Sequence, residues 1–253
     1  MLYRDVSPVS QEAWNEIDDR AKEVLQAYLA SRRVVSVSGP KGLDFNAVAE
    51  GRLADLGDTD GVYHGTYQNV PLMETRVEFE IDRWELDNVN RGAKDVDLAP
   101  LEEAMVKLAL FEDKTVFDKL DEVMEHEELT FGENGKEVMH AISDAVITLK
   151  EVFVDGPYTL VVSPEAYKRI HAESSGYPLT KRIEKLIDGE IIINRAIEGA
   201  YLLPFNHDDL ELTIGRDYSI GYQNHTNDKV RFFAKESFAF RVLDEAIYVK
   251  FNL

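Results

Sequence analysis

Between Met73 and Ile81 the side chains alternate without a break. Met73, Thr75, Val77, Phe79 and Ile81 fall on one face, and Glu74, Arg76, Glu78 and Glu80 on the other. A period of two predicts a half-buried strand. At Asp82 the alternation stops, and Trp84, Leu86 and Val89 in "DRWELDNVNRG" fit a short helical turn ending at Gly92. The stretch reads as a long ribbon handing over to a helix, with Trp84 expected to anchor the joint. A second use for Trp84 is stacking an aromatic ligand. The apolar face of the ribbon has no obvious intrachain partner, because the residues before it are broken by Gly57, Gly61, Gly65 and Pro71. Residues 50–81 are therefore expected to form an extended β-arm.

The body around this arm is mixed. Ser10 suits the cap of a helix running to about Arg33, with Trp14, Ile17, Ala21, Val24 and Tyr28 at helical spacing. "RRVVSVSGPKG" reads as a strand and a turn. A helix of more than twenty residues is expected over about 98–124, with Pro100 in its first turn and Leu101, Met105, Leu108 and Ala109 on its buried face. Val138, Ile142, Ala145, Leu149 and Val152 mark another helix, and "PYTLVVS" a short buried strand. Ser163-Pro164 opens the next helix, and "YPLTKRIEKLIDG" forms one stopped by Gly189. From Glu190 onward, "EIIIN", "AYLLP", "LELTIG", "KVRFFAKESFAFRV" and "AIYVKF" are strand-like. The fold class is α+β, with no internal repeat and no low-complexity linker.

Composition excludes several functions. A formal net charge of −20 opposes binding to phosphate backbones. With no cysteine, disulfides and thiolate chemistry are ruled out. The N-terminus lacks the pattern of a secretory signal, and no apolar run reaches the ~18 residues of a membrane span. A cytoplasmic protein with no nucleic-acid or membrane partner is expected. Catalytic and metal motifs fail on spacing. "HEELT" at His126 has Thr130 where a zinc protease needs its second histidine. "LGDTDG" has Leu56 and Tyr67 at ligand positions of a calcium loop, so a turn is expected there. "SGPKG" lacks the spacing of a phosphate-binding loop, and no elbow presents a nucleophilic serine. No enzyme, cofactor or metal site is expected.

"DRWELDNVNRG", "VDLAPLEEA", "FEDKTVF", "DGPYTLVVS", "SGYPLTKRIE", "IGRDYSIGY" and "ESFAF" occur in the order seen in encapsulins, and the N-terminal "WNEIDDRAKEVL" and "RRVVSVSGPKG" match as well. The resemblance runs from about Pro8 to the C-terminus. Arg216 and Tyr218 depart from the commoner pattern of the "IGRDYSIGY" segment. Encapsulins are prokaryotic shell proteins related to tailed-phage major capsid proteins.

The resemblance implies a Hong Kong 97-type capsid fold with peripheral and axial domains, an extended β-arm and a spine helix. It assigns residues 1–49 to the N-terminal helix and part of the peripheral domain, and 50–81 to the arm. Residues 82–142 become the spine helix and peripheral domain, 143–225 the axial domain, and 226–253 strands returning to the periphery. It implies an icosahedral homo-oligomer enclosing a redox or iron-storing cargo enzyme that carries a C-terminal targeting peptide. The matching groove residues are Leu25, Tyr28, Leu29, Arg32, Val35, Ile220, Tyr222 and Val230. Glu173, Ser174, Ser175, Gly176 and Tyr177 would line a fivefold pore. The alternatives are a phage major capsid protein and, from a different class, a soluble hydrolase or protease.

Overall fold

A computed structural model describes residues 1–172 and 176–253. In chain order the chain forms α1 (Gln11–Tyr28), β1 (Ser36–Ser38), β2 (Ala47–Thr59), β3 (Val62–Pro71), β4 (Met73–Asp82), α2 (Arg83–Asn90) and α3 (Ala99–Val123). Then come β5 (Leu129–Thr130), α4 (Gly135–Glu151), β6 (Tyr158–Val162), α5 (Pro164–Ala172), α6 (Leu179–Ile187), β7 (Ile191–Ile193), β8 (Ala200–Pro204), β9 (Leu210–His225), β10 (Lys229–Val242) and β11 (Val249–Asn252). The chain folds as two compact units. One comprises residues 1–18, 37–104 and 212–241, and the other residues 19–36, 105–211 and 242–253.

The first unit is built on a sheet of order β1-β9-β10-β4. Its core is aromatic: Trp14 meets Phe232 edge-on at 5.3 Å, and Phe79 stacks on Phe232 at 5.5 Å. The alternation of 73–81 is a strand as expected, but its partner differs. β4 pairs antiparallel with β10, from Met73 opposite Phe238 to Asp82 opposite Lys229, and this buries Phe79 and Ile81. The ribbon therefore has an intrachain partner, and β4 is not the return strand of the arm. β3 instead pairs with β2 in a separate two-stranded ribbon over Ala47–Pro71. Register shifts between Ala49 and Leu53, and between Ala54 and Gly57, bulge this ribbon. At its tip the Gly61 N–H donates to Asp58 Oδ1 at 2.8 Å, so "LGDTDG" closes β2 into a turn at Asp60 and Gly61 rather than being a turn throughout.

The joint after β4 is also corrected. Asp82 caps α2 by accepting from Trp84 N at 2.8 Å, yet the Trp84 ring is 66% exposed. Leu86, not Trp84, buries the joint. The expected start of α1 stands: Ser10 Oγ accepts from Ala13 N at 3.1 Å. The helix ends sooner than Arg33, at Tyr28, and a separate 3-10 turn covers Ser31–Arg33.

The second unit packs α4, α5 and α6 with a mixed sheet of order β5-β11-β8-β6-β7. Every residue of β6 and β8 is buried, which is why both read as continuous apolar runs without alternation. Ser163 Oγ accepts from Ala166 N at 3.2 Å and so caps α5. α6 stops one residue earlier than "IDG" predicts, because Asp188 takes the left-handed conformation. Gly189 is needed for a different reason. A Cβ there would stand 1.9 Å from the Tyr158 carbonyl oxygen, so only glycine lets the chain pass β6. In the motif "HEELT", His126 Nε2 lies 2.6 Å from the Ala246 carbonyl oxygen.

Candidate cargo-docking surface

The eight groove residues divide between the two units. Leu25, Tyr28, Leu29, Arg32 and Val35 belong to the second unit, and Ile220, Tyr222 and Val230 to the first. Leu25, Tyr28 and Leu29 are half-buried, whereas Val35 is buried.

Four contacts fix the segment that carries the first five. The Arg195 guanidinium donates to the Ala27 carbonyl at 3.0 Å and lies 4.6 Å from the centre of the Tyr28 ring. A cation at the last carbonyls of α1 complements its negative end. The Asp113 carboxylate accepts from Ala30 N at 3.0 Å and Ser31 N at 2.9 Å, satisfying the backbone where the helix has ended. Arg32 Nε donates to Glu112 at 2.8 Å. The Val34 carbonyl accepts from Asn206 N at 2.7 Å.

Both Glu112 and Asp113 are completely buried. Burial pushes the Asp113 carboxyl up to about 6. Its bonds from Ser31 and Ala30 oppose that rise, and the neighbouring Glu112 charge adds to it. The pairing of Arg32 with Glu112 stops that carboxylate from being an isolated buried charge. Glu112 and Asp113 fall inside the quoted "FEDKTVF" without a role being read for them, and Arg195 is not among the candidate residues. A signal was available for the carboxylates: Glu112 and Asp113 stand four residues after the buried Leu108 and Ala109, on the apolar face of α3.

In the first unit, Ile220, Tyr222 and Val230 are all buried. Val230 pairs with Ile81 across β10 and β4, and Tyr222 Oη lies 2.6 Å from His225 Nδ1. Their neighbour Arg216 uses its backbone N–H on Ser237 Oγ at 2.8 Å and its Nε on Ser219 Oγ at 3.1 Å. The Arg91 guanidinium lies 5.2 Å from the centre of the Trp84 ring. Among the pore-loop residues, Gly176 and Tyr177 are exposed, and Gly176 has a φ of +87°. Glu173, Ser174 and Ser175 lie outside the described residues. Among the described residues no group of three or more His, Asp or Glu side chains could hold a metal ion. No described helix is long and apolar enough to cross a membrane.

Comparisons with known proteins agree on one family. Residues 1–239 match the family described as "Encapsulating protein for peroxidase". The Type 1 encapsulin shell protein of Mycobacterium tuberculosis is 38% identical over 249 residues, covering 94% of each chain. Among solved structures, the virus-like particle from Pyrococcus furiosus superposes with a TM-score of 0.69 at 16% identity, covering 94% of this chain and 98% of that one. The mature capsid of bacteriophage PhiM1 superposes with a TM-score of 0.57 at 10% identity, covering 89% and 87%. At such identities the last two speak for the fold alone, which is the α+β fold of tailed-phage capsid proteins. This chain belongs to the encapsulin shell proteins.

Proposed function

We propose that this protein is a structural subunit that assembles with copies of itself into a closed icosahedral shell and encloses a cargo enzyme bearing a targeting peptide. The observation that carries the reading is the β2–β3 ribbon. An isolated two-stranded ribbon is marginal in water. This one also leaves Leu53, Leu56, Val62, Tyr63 and Tyr67 exposed. Neighbouring subunits are the partner that such a surface needs in a chain of shell proteins. Burying apolar side chains against them offsets the repulsion expected of a chain with net charge −20. Contacts that repeat head to tail close into a shell when their rotations close. The arm is then residues 47–71.

The chain is read as structural rather than catalytic, and its home as the prokaryotic cytoplasm. Cargo is expected on the groove residues, where the clamped segment 25–35 offers half-buried Leu25, Tyr28 and Leu29 to an apolar peptide. The name of the matched family makes a peroxidase the first cargo to try, and an iron-storing protein the second. Leu29→Glu and Tyr222→Glu are the test. Each is expected to give intact shells that lose co-expressed cargo, scored by mass spectrometry of purified particles. Cargo retained at the wild-type ratio by both variants would contradict the groove.

A further inference from the structure

Two groove residues of the first unit, Ile220 and Tyr222, sit beside a piece of the chain's own N-terminus. Tyr222 N donates to the Leu2 carbonyl at 2.8 Å, as one strand does to the next. Arg4 Nε donates to the Ile220 carbonyl at 2.8 Å. Residue 221 between them is a glycine, and a Cβ there would stand 2.3 Å from the Phe233 ring and 2.8 Å from the Leu2 carbonyl oxygen. Leu2 and Arg4 therefore cover β9 at Tyr222 and Ile220, the first through its carbonyl and the second through its side chain at the start of a 3-10 turn over Arg4–Val6.

This segment is fastened by side chains rather than by its own apolar burial. Arg4 makes two parallel bonds of 2.7 Å to the Asp18 carboxylate, and its guanidinium lies 4.3 Å from the centre of the Trp14 ring. Ser7 Oγ accepts from Trp14 Nε1 at 3.1 Å. Tyr3, between the two residues that touch β9, has a φ of 54°, a left-handed conformation unusual for a bulky side chain. Surroundings must hold a residue there, because the conformation costs free energy by itself. Arg4, on the next residue, supplies the hold.

We infer that residues 2–7 are a strap that occupies the peptide-docking edge of β9 at rest, and that an incoming extended peptide displaces it. The inference rests on the cargo-groove reading above. An edge that already accepts one backbone has the hydrogen-bonding geometry to accept another, which is how extended peptides add to sheets. Self-occupancy lowers the fraction of subunits open to a peptide, so apparent affinity falls by that fraction. It also keeps the edge from pairing with unrelated strands.

The experiment uses intact shells co-expressed with a fluorescent protein that carries the C-terminal tail of a peroxidase enclosed by a family relative, at sub-saturating levels. Arg4→Ala removes the strap's ties to Ile220 and Asp18 and its guanidinium contact with Trp14, leaving the Ser7–Trp14 bond. Asp18→Asn weakens the same tie from α1 without altering the strap, and serves if Arg4→Ala fails to assemble. Hydrogen exchange at the Tyr222 amide reports strap release with no cargo present. Faster exchange is expected together with reporter occupancy raised roughly threefold to tenfold. Faster exchange with unchanged or lower occupancy would overturn the strap, since the segment would then be idle or part of the peptide site. Unchanged exchange in both variants would overturn it as well. Leu29→Glu separates the two readings, because a shell that keeps the reporter despite that change refutes the groove itself.

Discussion

The β2–β3 ribbon and the β6–β8 pair use the same secondary structure and solve opposite problems. In β6 and β8 every side chain is buried, and the sheet and helices of their own unit supply the burial. In the ribbon, Leu56 is 75% and Tyr63 82% exposed, and the backbone ladder is interrupted twice. The first pair has its folding free energy within the chain. The second has its hydrogen bonds there but must find its apolar burial elsewhere. A subunit built so folds alone and remains incomplete.

The comparison breaks most directly by cutting the ribbon out. Replacing residues 47–71 by a short glycine-serine turn is expected to abolish closed particles while leaving a folded subunit, read by sedimentation and circular dichroism. Particles of normal size from that deletion would break it. At the other pole, Leu202→Ala in β8 is expected to cost the subunit about 2–5 kcal/mol, because a fully buried leucine leaves a cavity. Chemical denaturation of the ribbon-deleted subunit measures that loss without interference from assembly.

A third test sharpens the picture of how the second unit holds its own ends. The folded Asp113 carboxyl is raised from 3.8 to about 6, so the native state holds this proton more tightly than the unfolded chain. Its contribution therefore favours folding at about pH 4 and below. It is lost as pH rises to about 6, by up to about 3 kcal/mol. Asp113→Asn lacks this dependence. Wild type should gain stability relative to the variant on going from pH 7 to pH 4.5, seen as a change in the difference between their melting temperatures. A pH-independent difference would contradict it. The smallest effect is expected at Tyr63→Ala, which should alter subunit stability by under about 0.5 kcal/mol. Any loss of assembly it causes would then be interfacial, and native mass measurement on dilution reads that loss.

The sequence carried local structure well and pairing poorly. Ser10 and Ser163 marked helix starts because a cap is made within a turn of its own residue. The apolar faces of α3 and α4 were legible for the same reason. The alternation of Met73–Ile81 identified a strand and its buried face but not its partner, which lies some 150 residues later in β10. Alternation sets a face; register and neighbour come from long-range contacts. That is why the two-stranded ribbon ends at Pro71 rather than Ile81. Trp84 misled because its apolar surface suggested burial, whereas Leu86 fills the joint and the Trp84 ring stays exposed beside Arg91. In the candidate groove, Leu25, Tyr28 and Leu29 were recognised through resemblance. The carboxylates that fix them lie inside the matched "FEDKTVF" and on an apolar helix face, but neither signal names what they bond to. The strap was illegible, since nothing in "LYRDVS" announces a partner more than two hundred residues away.

Electron microscopy of the purified full-length protein, with hydrogen exchange across residues 47–71, tests the central claim most directly. Closed particles are expected, with the ribbon amides protected in them and fast-exchanging in dissociated subunits. A monomer or small oligomer whose ribbon is already protected would contradict the account.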